Sequence, residues 1–123
     1  MLTLDTNAII YYLKGEEMAV RALNKAFEDD AAVYISTITE LELFSFPDLC
    51  AEEIQEINVL MNTLAIIPLD SRIARIAGSL RRLYGLKTAD SAIAATALFT
   101  GTKLMTRNVR DFMKVTNLLL EKI

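Results

Sequence analysis

The stretch LTLDTNAII, Leu2 to Ile10, runs from an apolar segment into Asp5 and then, after Thr6 and Asn7, into a second apolar segment. The first apolar run is short enough to read as a buried strand and the second reads as a helix, so the carboxylate stands at a strand-to-helix junction. The rest of the chain repeats that alternation. Helical patterns at 7–13 and 17–28, the latter with Val20, Leu23 and Phe27 on one face, lead to a strand at 33–35. Helices at about 38–45 and 51–63 precede the apolar LAIIPL strand; helices at about 71–84 and 89–99 precede the strand KLMT. A short helix after Asn108 and a strand near LLL close the chain. Strands alternating with helices predict an α/β fold, a parallel sheet of about five strands covered by helices on both faces.

At 123 residues the chain has room for one packed core, and no linker, repeat or low-complexity segment divides it, so residues 1–123 read as a single domain. Hydrophobic residues make up 53% and charged residues 24%, a composition of folded rather than disordered chains. No apolar run approaches the roughly 20 residues needed to span a bilayer. The N-terminus lacks a basic flank and small-residue cleavage site, and Cys50 has no second cysteine to pair with. The expectation is a soluble protein of the reducing cytoplasm, with no membrane partner.

There is no histidine, which excludes Ser-His-Asp and Cys-His sites and leaves acid/base or metal chemistry to carboxylates. The net charge of −3 hides a division: residues 1–62 carry −9 and residues 63–123 carry +6. Arg72, Arg75, Arg81, Arg82, Lys87, Arg107, Arg110 and Lys114 belong to the cationic half. Gathered on one face they would meet a phosphate backbone; spread out, they are solvated helix surface.

In a doubly wound sheet the carboxyl ends of the strands and the N-termini of the next helices share one edge, where ligands bind. Asp5, Glu40, Asp90, Asn108 and Asp111 all fall on that edge. Each has a plainer reading as a helix cap or first-turn residue: Asp5 before the first helix, Thr37 to Glu40 as a capping box, Thr88 ahead of Asp90, and Asn108 with Asp111 three positions on. Carboxylates brought together repel, and some of their pKa values rise, unless a cation compensates. With oxygen ligands alone, that cation is Mg²⁺ or Mn²⁺, which suits phosphodiester hydrolysis.

Four segments carry a resemblance: LDTNAII (Leu4–Ile10), YISTITELE (Tyr34–Glu42), LKTADSAIAATAL (Leu86–Leu98) and LMTRNVRDF (Leu104–Phe112). In order and spacing they resemble the successive motifs of the PIN-domain family, especially its VapC-type toxins. The resemblance implies a PIN-like fold, a Mg²⁺- or Mn²⁺-dependent endoribonuclease acting on an RNA substrate, a homodimer, and inhibition by a cognate antitoxin protein. Position by position it makes Asp5 and Asp90 metal ligands, with Glu40 completing the acidic pocket through water or a second ion. The fourth acidic position of many relatives is Asn108 here, and Asp111 stands ready to supply the missing carboxylate. Thr6, Asn7 and Thr106 match polar positions that orient the carboxylates. Tyr11, Tyr12, Leu13, Phe44 and Phe46 fall where the resemblance places antitoxin binding. The alternatives are an RNA-processing nuclease of the same fold without antitoxin, a fold that binds RNA without cutting it, and a phosphatase with Asp5 as nucleophile. The last needs an Asp-x-Asp pair, where this chain has Asp5-Thr6-Asn7.

Overall fold

The computed structural model describes residues 1–123, and β1 (Leu2–Leu4), buried along its whole length, stands at the middle of its sheet. The chain continues through α1 (Thr6–Leu13), α2 (Glu17–Glu28), β2 (Val33–Ser36), α3 (Thr37–Leu43), α4 (Ala51–Met61), β3 (Ala65–Ile67), α5 (Ser71–Tyr84), α6 (Thr88–Thr100), β4 (Lys103–Thr106), α7 (Val109–Phe112) and β5 (Leu120–Lys122). The five strands lie in the order β3-β2-β1-β4-β5, and every pairing is parallel. β1 is paired with β2 on one side and β4 on the other. The strand order therefore reverses at β1, and the crevice that such a switch point opens lies at its carboxyl end, where Asp5 is.

Two apolar clusters, one per face, hold the sheet. The first packs Leu4, Ile9, Leu23, Ile35, Ile57 and Leu60 together beneath α1, α2 and α4. The second gathers Ile73, Leu80, Ile93, Leu104, Phe112 and Val115 beneath α5, α6 and α7. In α2 the buried stripe is Ala19–Leu23–Ala26; Val20 and Phe27, expected on the inner face, lie at its flanks and are only partly buried. In α6, Ser91 through Ala97 are all buried. Small side chains on every side let this helix lie close against both the sheet and α5, which fixes the depth of Asp90 at its start.

The strand in LAIIPL is shorter than its apolar run, and the last strand falls at the leucine run as expected. β3 stops at Ile67 because Pro68 has no N–H to continue the ladder. β5 begins at Leu120, the last residue of the leucine run, and continues to Lys122. Leu118 turns into the core while Leu119 is exposed, and the ladder begins where Leu120 pairs with Leu104. No helix is long and apolar enough to cross a membrane.

Candidate active site

Asp5 is buried, and its carboxylate oxygen Oδ2 accepts a hydrogen bond from the Thr106 hydroxyl at 2.8 Å. Its backbone N–H bonds to Met105 O at 3.1 Å, so β1 and β4 together hold the residue in place. Asp5 precedes α1 but its side chain makes no capping hydrogen bond. Burial pushes its pKa above the ordinary carboxylate range; the Thr106 hydroxyl and, more weakly, the amides of Thr6 and Asn7 oppose the rise, while the charge of Glu42 adds to it. The amides at the start of α1 thus only partly offset its burial, and no basic side chain pairs with it.

Asp90 lies in the first turn of α6, whose N-cap is Lys87 without a side-chain cap. Its pKa is also raised, first by burial and then by the charge of Asp5; Lys87 opposes this, and Asp111 and Glu42 reinforce it. The two aspartates, far apart in the chain, thus share one electrostatic field. Asp111 joins them from α7. Its Oδ2 accepts from Asn108 Nδ2 at 3.1 Å and its Oδ1 stands 4.0 Å from Lys114 Nζ. Asn108 occupies the N-cap position of α7 without capping it; its backbone N–H donates instead to the Thr106 hydroxyl at 2.9 Å. That one hydroxyl links Asp5 to Asn108.

The glutamate that faces this cluster is Glu42, not Glu40. The buried Thr6 hydroxyl donates to Glu42 Oε1 at 2.7 Å and lies 3.0 Å from the Thr39 hydroxyl. Glu42 acts on the charge of both Asp5 and Asp90. The Glu40 side chain has no hydrogen-bond or ion-pair partner and does not figure among the charges acting on either aspartate. Around an α-helix, at about 100° per residue, Glu40 and Glu42 lie roughly 80° to either side of the buried Thr39–Leu43 stripe. Glu42 is on the flank turned to α1, and Glu40 is on the other. No capping box forms over Thr37 to Glu40 either: Ser36 is the N-cap, accepting from Ile38 N, and the Thr37 hydroxyl accepts from Leu69 N. Of the other polar positions, Thr6 and Thr106 hold carboxylates, whereas Asn7 is exposed and its side chain holds none. Replacing Glu42 by Gln should lower the pKa of both Asp5 and Asp90, and replacing Glu40 by Gln should leave them unchanged, as tracked by carboxyl-carbon NMR titration.

The donor set suits a hard divalent cation in part. Asp5, Glu42 and Asp90 have no basic partner within 4.0 Å, and their excess negative charge is what such a cation would balance. No three of the acidic side chains close on one point. An ion here would take one or two carboxylates directly and reach the others through water, the arrangement Mg²⁺ favours.

The sequence and the fold both have close counterparts. The chain is 28% identical over 117 residues to Ribonuclease VapC19 of Mycobacterium tuberculosis, an alignment covering 91% of this chain and 92% of that one. It superposes along the full length of both chains on a toxin-antitoxin complex from Klebsiella pneumoniae, with TM-score 0.82 and 29% identity. VapBC2 from Rickettsia felis, bound to a DNA fragment from its promoter, has the same fold at TM-score 0.85 and 21% identity, with 99% of this chain and 98% of that one covered. Residues 2–118 match the family model of the PIN domain; with its parallel sheet and acidic strand edge, the chain belongs to the PIN-domain family.

Proposed function

We propose that this protein is a divalent-metal-dependent endoribonuclease and the toxin of a toxin–antitoxin pair. The observation that carries the reading is the convergence of Asp5, Glu42, Asp90 and Asp111 at the sheet's switch point, where neither aspartate has an ion-pair partner and Lys87 only partly offsets the charge around Asp90. The similarity to a ribonuclease and to a toxin–antitoxin complex over nearly the whole chain supports the same activity and the same kind of partner. Asp5 and Asp90 are the residues we assign to Mg²⁺ or Mn²⁺, with Glu42 in place of Glu40 and Asp111 beside them. A divalent ion held by these residues would supply charge neutralisation at the phosphodiester and acidification of the attacking water.

The protein's own groups do the rest. The Thr106 hydroxyl fixes Asp5 Oδ2 and the Thr6 hydroxyl fixes Glu42 Oε1, so the carboxylates are oriented before any substrate arrives. Asn108, which brings no charge, holds Asp111 through its side-chain amide. From the cationic half, Lys87 and Arg81 are the residues we assign to the RNA backbone. Lys87 stands close enough to affect Asp90, and Arg81 reaches the same end of α6 by donating to the Thr88 hydroxyl at 2.8 Å.

The antitoxin reading draws on two apolar cavities flanking α1. One of about 580 Å³ is lined by Ile10, Tyr11, Leu13 and Phe46, and one of about 750 Å³ by Tyr12, Leu13, Val20 and Phe27. Asp48, Glu53 and Glu56 rim the first, so a segment with an apolar face and basic flanks fits it. On the opposite layer, exposed Leu83, Phe99 and Met113 supply apolar surface for a homodimer. The direct test is RNA cleavage by protein freed of any antitoxin. Cutting in Mg²⁺ or Mn²⁺ is expected to stop in EDTA and return on adding the metal in excess; cleavage that persists through thorough chelation overturns the mechanism.

A further inference from the structure

Arg107 belongs to the cationic half of the chain, yet its side chain, 34% exposed, is engaged on three sides by the fold. Its guanidinium lies over the Tyr11 ring of α1, 4.2 Å from the centroid. Nη2 pairs with Glu16 Oε2 at the corner between α1 and α2, and Nε donates to Ile123 O at 3.2 Å. Glu16 is itself fixed, because its other oxygen caps α2 by accepting from Met18 N at 3.1 Å. One planar group is therefore held by an aromatic face, a side-chain carboxylate and a main-chain oxygen from three separate parts of the fold, a combination that guanidinium geometry permits and an ammonium does not.

The place of this clasp in the chain gives it meaning. Thr106 ends β4 and is held by the ladder, with Ile123 N bonded to Thr106 O. Beyond it the sheet stops, and the Asn108 N–H has only the Thr106 hydroxyl as its partner. Arg107 lies between the two. We propose that Arg107 is a positioning residue: through Tyr11 and Glu16 it pins the turn after β4 to α1, and so sets where Asn108 and Asp111 stand relative to Asp5. The proposal rests on the nuclease reading for its effect on turnover but not for its effect on the turn. It also separates Arg107 from the other basic residues, since a side chain committed to these contacts does not bind phosphate.

Two variants test it, Arg107→Lys, which keeps the charge, and Glu16→Gln, which keeps the cap on α2 but removes the partner. With an RNA oligonucleotide that the wild-type protein cuts, each is expected to lower kcat by about ten- to a hundredfold with KM within about twofold, as displacement of catalytic groups does. The double variant should be no worse than the poorer single one, because both break the same clasp. Amide hydrogen exchange at Asn108 should quicken in both variants while exchange in β1 and β4 does not. Wild-type turnover in Arg107→Lys, or a rise in KM with kcat unchanged, overturns the proposal and makes Arg107 an RNA contact or a stability residue. Unchanged exchange at Asn108 overturns it as well, and that measurement needs no RNA, so it decides the matter even if the protein cuts none.

Discussion

Asp5→Asn is expected to reduce RNA cleavage by more than about a hundredfold, the upper end of what loss of an outer partner of a metal ligand costs, while leaving the metal-free protein at least as stable as wild type. The two effects have one cause. Asparagine keeps the shape and an oxygen to accept from Thr106, but removes a buried charge that sits in the field of Glu42 and Asp90. The sign comes from the raised pKa of Asp5. A carboxyl that holds its proton more tightly in the folded state stabilises the fold at low pH, and this contribution is lost as pH rises from the unfolded value through the folded one. Wild-type stability without metal should therefore fall across that window, and the fall should be shallower in Asp5→Asn. Urea denaturation at a series of pH values, with chelator present, measures it. A variant less stable than wild type at neutral pH would show that the Asp5 charge supports the fold and would remove the argument for a compensating cation.

The second large effect is on metal affinity. Calorimetric titration of the wild-type protein with Mn²⁺ should show saturable binding, with proton release at pH values where Asp5 and Asp90 still hold protons, because the ion takes the charged form. Asp90→Asn and Asp5→Asn should each weaken that binding by at least about tenfold. Saturating Mn²⁺, at about a hundred times its dissociation constant, should add roughly 2.7 kcal/mol to wild-type stability, and far less to either variant at the same concentration. Wild-type-like affinity in both variants would leave the two aspartates without the role assigned to them. Helix capping does not explain such a loss, because asparagine caps a helix as well as aspartate does.

Much of the fold was legible because its signals are local. Strand β1 and helices α2 and α5 fall where apolar periodicity placed them, since each buries one face and that face is written at fixed spacing. The ends of weak elements were less legible. LAIIPL is apolar throughout but pairs only over Ala65–Ile67, because Pro68 ends the ladder. In the final leucine run Leu118 serves the core and the pairing begins at Leu120, since an edge strand answers to its one neighbour rather than to its own pattern.

The amino-acid sequence by itself determined the α/β alternation, the exclusion of histidine chemistry, and the positions of Asp5 and Asp90 at the carboxyl edge of the sheet, because these depend on residue identity and on the order of elements. Only the tertiary structure decided which glutamate joins them. Glu40 and Glu42 flank the Thr39–Leu43 stripe symmetrically, so helical periodicity does not choose between them; the packing of α3 beside α1, which brings Glu42 to the Thr6 hydroxyl, does. The same holds for Arg107: as a residue in a cationic stretch it reads like its neighbours, and only the approach of Tyr11, Glu16 and Ile123 from distant parts of the chain engages it. Contacts between elements remote in sequence are set by the geometry of packing, which the local pattern of one segment does not encode.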